Sequence, residues 1–270
     1  MKFFKAIFST LFLLFAAALT LSARQRDISL SSSLMDRLDE YLSAMDHLGI
    51  AQAQAEADFV IESVQDSLLR EKVAAKVYEH FRDSGLMGSE NVAVWIFDKW
   101  YATFRVLFDD VDDFEAANVH AYVNRSSLIG RKAPRLTLPL VNPSSRKDSV
   151  TIVKKHRRSI IYFYSTSCPK CLVTSLSLRD YLNSHRVKVN VYAIYTGDNP
   201  VEAEAYTANE LKIANNCSTK FYSLYGGDVD YVVPYGVVQT PRLFLVDRKG
   251  IVAGRHLDVA ALEKLLQTVR

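Results

Sequence analysis

The sequence predicts an α/β C-terminal domain, a central mixed sheet flanked by helices, preceded by an all-helical domain. Three observations predict it. Residues 30 to 128 carry apolar side chains at three- and four-residue spacing with short connections. Beyond them, runs rich in β-branched and aromatic residues alternate with helical patterns, and the order from Ser159 onward reads βαβαββα. Where the first of those strands meets its helix stands Cys168-Pro169-Lys170-Cys171.

Lys2 and Lys5 precede Ala6-Ile7-Phe8 and the apolar run Leu11 to Leu21, which ends in the small residues Ser22 and Ala23. This is the pattern of a secretory signal over residues 1–23. The run is shorter than the ~20 residues a spanning helix needs, so cleavage is expected, with an uncleaved membrane anchor as the alternative. The expected location is the periplasm or another bacterial envelope space. Formal net charge is +3 over 270 residues, and Lys2 and Lys5 supply two of the surplus charges. The rest is close to neutral, which gives no electrostatic case for a nucleic-acid partner. Hydrophobic content of 49% is ample for two cores.

In the helical domain, set at residues 24–128, Ser33-Leu34-Met35-Asp36 reads as a capping box before Leu38, Tyr41, Leu42, Met45 and Leu48. A second apolar set runs from Phe59, Val60, Val64 and Leu68 through Val73, Val77, Tyr78 and Phe81 to the break at Ser84-Gly85. A third helix is expected from Glu90 to Phe108 and a fourth from Asp113 to Tyr122. Trp95, Trp100 and Tyr101 read as core, since such rings bury large areas. The acids Asp109, Asp110, Asp112 and Asp113 read as a solvated loop and helix start.

The second domain, 129–270, opens after the break at Asn124 to Pro134 with a short strand Leu136 to Leu140, a turn at Asn142–Ser145 and a strand Val150 to Val153. The basic run Lys154 to Arg158 is expected to protect a sheet edge. Ser159 to Tyr164 is a buried strand, and Leu172, Leu176, Tyr181 and Leu182 mark the helix after the cysteines. Strands at Lys188–Tyr195, Arg242–Val246 and Ile251–His256 follow, with a helix from Asn199-Pro200 to about Ala214 and a last one from Asp258. The two helical crossovers imply parallel strands, and the closing hairpin an antiparallel edge.

A cysteine at a strand-to-helix junction lies beside unpaired backbone N–H groups and the positive end of a helix dipole, which favour thiolate over thiol. A two-residue spacer lets the second sulfur close a disulfide with the first, so the pair reads as a reversible dithiol. Half of a zinc site is the first rival, but only Cys217 and isolated histidines such as His185 and His256 are available to complete it. An inert disulfide is the second. Cys217 reads as a small buried hydrophobe.

Gly130-Arg131-Lys132-Ala133-Pro134-Arg135-Leu136-Thr137-Leu138, the CxxC, and Thr240-Pro241 ahead of Leu243-Phe244-Leu245-Val246-Asp247 and Gly250 together resemble the thioredoxin superfamily, in its TlpA/ResA-like envelope branch. The resemblance covers residues 130 to 270. It implies that Pro241 is cis and faces the dithiol, that Thr240 offers its backbone to a substrate strand, and that Cys168 is the nucleophile and Cys171 the resolving thiol. Pro169 and Lys170 would modulate the pair. Thioredoxin itself carries a tryptophan before the first cysteine and a buried acid six residues upstream, where this chain has Ser167 and Tyr162.

The function so implied is thiol-disulfide exchange on protein thiols and disulfides, with a membrane-bound electron donor and no cofactor or metal. Two alternatives stand beside it. One is a partner-binding module whose thioredoxin-like half is a redox-inert scaffold. The other is a thiol peroxidase, in which Ser165 would supply the hydroxyl, although Ile161 fills the place of the expected proline.

Overall fold

The structure, a computed structural model, describes residues 27–144, 147–154, 156–227 and 229–268. The expected signal segment 1–23 lies outside the described residues, and among those described no helix is long and apolar enough to cross a membrane. The chain divides into two compact units, one up to Glu115 and one from Ala116.

The first unit holds α1 (Asp27–Met45), α2 (Ile50–Ser63), α3 (Ser67–Asp83) and α4 (Ser89–Ile96), the last continued by a π-helical turn at Phe97–Tyr101. α1 is already helical at Asp27, so Ser33 lies inside it and does not begin it. The expected single helix through Phe59 and Phe81 is two. Val64 is extended and buried, and the Asp66 carboxylate accepts from Leu69 N at 2.8 Å, satisfying one of the free donors at the start of α3. That cap competes with continuation of α2, and it leaves Phe59 and Leu68 exposed instead of on a shared core stripe.

The third expected helix also ends early. After Tyr101 the chain turns, with Arg105 N and Val106 N both on the Trp100 carbonyl and Phe104 in the left-handed region at φ 57°. Trp100 and Tyr101 are core, as their size predicts. Trp100 Nε1 donates to Asp58 at 3.2 Å, and the Arg105 guanidinium lies 3.9 Å from the indole centroid. Trp95 is half-buried, with Lys99 Nζ 5.2 Å above it. α5 (Val111–Arg125) begins in the first unit and ends in the second.

The second unit is built on β1 (Thr137–Ser144), β2 (Lys147–Thr151), β3 (Arg158–Tyr164), β4 (Val189–Tyr195), β5 (Thr219–Tyr225), β6 (Arg242–Val246) and β7 (Val252–Gly254). They form one seven-stranded mixed sheet in the order β2-β1-β5-β4-β3-β6-β7. β3, β4 and β5 run parallel, and β6 lies antiparallel against β3. α6 (Pro169–Ser184), α7 (Pro200–Tyr206) with a π-helical turn Thr207–Leu211, α8 (Val232–Tyr235) and α9 (Val259–Thr268) complete the unit.

β5 is absent from the sequence expectation, and the omission misassigns its neighbour. The second helical crossover leads from β4 to β5, as the parallel rule requires, and not to β6. β5 escaped notice because Lys220 and Ser223 interrupt its apolar residues and most of its side chains are only half-buried. The strand β1 also continues through Asn142 and Pro143, where a turn was expected.

Three further expectations fail on side-chain placement. The buried face of α6 is Cys171, Ser175, Leu178 and Leu182, while Leu172 is exposed and Leu176 half-buried. A polar serine within the stripe hides it from a hydrophobicity pattern. Arg157 and Arg158 stand at the start of the central strand and not at an edge: Arg157 donates to the Val189 and Ser218 carbonyls, Arg158 to Leu266 O at 2.6 Å. Cys217 is exposed on the loop before β5.

Arg255, 1% exposed, holds the end of α5 through the carbonyl and side-chain oxygen of Asn124, and also donates to Tyr235 O. Gly236 passes this cluster at φ 65°, where an added Cβ would meet Asn124 Oδ1 and Arg255 Nη2 and come within 3.2 Å of Val123 O. Gly236→Ala is therefore expected to lose about 2–4 kcal/mol from left-handed strain plus overpacking. A urea midpoint equal to that of the parent protein would contradict this packing.

Candidate redox site

The central strand β3 has six of its seven residues buried and pairs on both sides. Its C-terminal end runs through Ser165-Thr166-Ser167 into Cys168, which is extended at φ −95° and ψ 112° and caps α6. Pro169 occupies the first helical position, where a missing N–H costs nothing. The Cys171 N–H, in the first turn, is shared between the Cys168 carbonyl at 3.0 Å and Cys168 Sγ at 3.2 Å.

The antiparallel register pairs Phe163 with Arg242, so the residues just before Arg242 lie beside the loop that follows β3. Cys168 Sγ is 3.5 Å from the Thr240 carbonyl, and the Thr240-Pro241 peptide is cis. Cys168, Cys171 and Thr240 thus converge, with Pro241 adjoining them through the shared peptide. Lys170 is exposed and contributes its backbone N–H rather than its ammonium. Both cysteines are thiols, Cys168 half-buried and Cys171 buried.

The two sulfurs titrate in opposite directions. Partial burial opposes the Cys168 thiolate, but hydrogen bonds from Cys171 outweigh it, helped by Thr240 and the Lys170 N–H, and hold this thiol below its ordinary range. Burial pushes the Cys171 thiol up to about 11, and its hydrogen bond to Cys168 adds to the rise. At a given pH the first sulfur therefore carries more thiolate than the second.

Further residues complete the surroundings. Glu202 on α7 accepts from Thr166 Oγ1 at 3.0 Å, Asn199 Nδ2 at 3.1 Å and Tyr195 Oη at 3.2 Å, and these hydrogen bonds hold its carboxyl below the usual range. It ties the loop before Cys168 to the start of α7. Beneath the dithiol, Tyr162 Oη donates to the Cys171 carbonyl at 2.9 Å, and Ser175 and Tyr206 lie behind it. Ser175 and Tyr206 carry no motif, and only their shared burial against β3 brings them together. Among the described residues, no group of three or more His, Cys, Asp or Glu is placed to hold a metal ion.

The titration order is directly measurable by alkylation. Cys168 is expected to keep reacting with iodoacetamide as pH falls below the ordinary thiol value of ~8.5, because a lowered pKa keeps the thiolate populated there. Cys171 is expected to stay unreactive until pH approaches about 11. A Cys168 profile centred at or above the ordinary value would contradict the geometry.

Residues 129–255 match the AhpC/TSA family. The thiol:disulfide interchange protein DsbE of Tatumella citrea is 31% identical over 133 residues, which is 48% of this chain and 66% of that protein. The chain thus spans just under two thirds of that relative's length. A thioredoxin-like protein from Bacteroides caccae, solved at 1.90 Å, superposes with a TM-score of 0.63 over 90% of this chain and 86% of its own, at 15% identity. That coverage reaches well into the helical unit, so both units have fold counterparts in one solved chain. Residues 129–255, just under half of the chain, are thus similar to the AhpC/TSA family and to a protein named as a thiol:disulfide interchange protein, on the thioredoxin-like fold of the Bacteroides caccae structure.

Proposed function

We propose that the chain exchanges disulfides with protein substrates in the cell envelope, with Cys168 attacking and Cys171 resolving. The observation that carries this reading is the half-buried Cys168 sulfur at the start of α6, with the Cys171 N–H on one side and the Thr240 main chain on the other. The Cys168 thiolate attacks one sulfur of a substrate disulfide, forming a mixed disulfide and expelling the other sulfur as a thiolate. Cys171 loses its proton, attacks Cys168 Sγ, and releases the second substrate thiol. Two electrons pass to the substrate and a Cys168–Cys171 disulfide remains.

Returning that disulfide to the dithiol needs a donor of two electrons, for which a membrane-bound dithiol protein is the proposed partner. Thr240 and Pro241 form the proposed seat for the substrate chain beside its cysteine. A signal segment over 1–23 and a helical domain from 24 to 128 that contributes to substrate choice complete the proposed organisation. Pro169 and Lys170 act on the pair through the first helical turn.

Cys168→Ser is expected to lower insulin reduction at least about 100-fold, since no other described sulfur occupies the helix start. Cys171→Ser is expected to accumulate a mixed disulfide on Cys168, visible as a mass adduct that dithiothreitol removes. Turnover unchanged in both variants would overturn the assignment.

A further inference from the structure

Beneath Cys171 the protein buries three hydroxyls that no step above uses. Tyr162 stands on β3, Ser175 on α6 one turn beyond Cys171, and Tyr206 on α7. Tyr162 Oη–H donates to the Cys171 carbonyl at 2.9 Å. A phenol carries one proton, so in the 3.0 Å contact between Tyr162 Oη and Ser175 Oγ the serine must be the donor. Tyr206 Oη donates in turn to Ser175 Oγ at 3.0 Å. Every proton therefore points the same way, from Tyr206 through Ser175 and Tyr162 to Cys171.

The rings cannot turn away from this arrangement without breaking a stack. Tyr162 lies 5.5 Å from Tyr164, and Tyr164 lies 5.1 Å from Tyr206, both pairs near parallel. Burial raises the pKa of both phenols, so they remain protonated and able to donate. Hydroxyls aligned head to tail in a dry interior polarise one another and strengthen the chain. The same residue, Cys171, receives this chain at its carbonyl and offers its N–H to Cys168 Sγ.

We propose that the chain Tyr206–Ser175–Tyr162 is a positioning device for the dithiol, fixing the main chain of Cys171 and favouring the thiolate form of the pair. The phenol proton offsets the negative end of the Cys171 carbonyl dipole, on the residue that carries one sulfur and offers its N–H to the other. Without it, that dipole acts unopposed on any sulfur that ionises, and the reduced pair loses stability relative to the disulfide. The proposal rests on the redox reading above and adds that Tyr162, Ser175 and Tyr206 set its poise.

Tyr162→Phe removes one oxygen and keeps the ring stack. In the full chain it is expected to move the thiol-disulfide equilibrium against glutathione about tenfold toward the disulfide, which is about 30 mV more reducing. In a Cys168→Ser background the same change is expected to shift the Cys171 alkylation profile to higher pH. Tyr206→Phe should move both readouts the same way by less. Tyr164→Phe is the control for loss of a buried phenol in the same stack, since its hydroxyl faces Thr207 Oγ1 at 3.5 Å, and it should stay within twofold of the parent.

A folded Tyr162→Phe protein whose equilibrium and Cys171 profile both stay within twofold of the parent would overturn the proposal. An equal shift in Tyr164→Phe would overturn it too, by tracing the effect to general packing. If Tyr162→Phe fails to fold, Ser175→Ala interrupts the same chain and carries the same criteria. Failure of the redox reading is distinguishable, because the parent dithiol would then not equilibrate with glutathione while the Cys171 alkylation profile still reports on the hydroxyls.

Discussion

The antiparallel pairing of β6 against β3 is the constraint on which the rest of the second unit depends. With Phe163 opposite Arg242, the peptide before Arg242 must lie beside the loop that leaves β3. That register alone brings Thr240 to Cys168 across the sequence. It is secured by burial on both sides, since β3 is sandwiched between β4 and β6, and β4 is buried along all seven residues. A slip of one position would turn the inward tyrosines Tyr162 and Tyr164 to the opposite face and abolish the site.

On that frame, a single local motif makes two equivalent cysteines unequal. A cap residue keeps its side chain at the rim, and the residue three later faces the sheet. Cys168 and Cys171 occupy those places, and the N–H of the second is donated to the sulfur of the first. Burial therefore dominates one thiol and hydrogen bonding the other, and the two pKa values move apart. This division follows from where a helix begins.

Much of this was legible in the sequence because its signals are local. The strand Ser159–Tyr164, the cysteine pair and Thr240-Pro241 are each short patterns, whereas the antiparallel course of β6 beside β3 was not legible, because without β5 the second crossover reads as ending on β6. What escaped depends on partners remote in sequence. β5 needs β4 and β1 on either side to make a strand of Lys220 and Ser223 among aromatics. The inward stripe of α6 includes Ser175, which is buried only because Tyr162 and Tyr206 supply its hydrogen bonds. The split between α2 and α3 turned on Asp66, where a capping side chain overrode a continuous apolar rhythm. Cys217 sits outside the core because the loop 215–218 serves β5, a strand the periodicity did not show.

The most direct measurement is a disulfide map of the full chain equilibrated in dithiothreitol redox buffers of graded potential. The account predicts a single two-electron transition that joins Cys168 to Cys171 and leaves Cys217 a thiol throughout. A bond to Cys217, or no intramolecular bond at any potential, would contradict it.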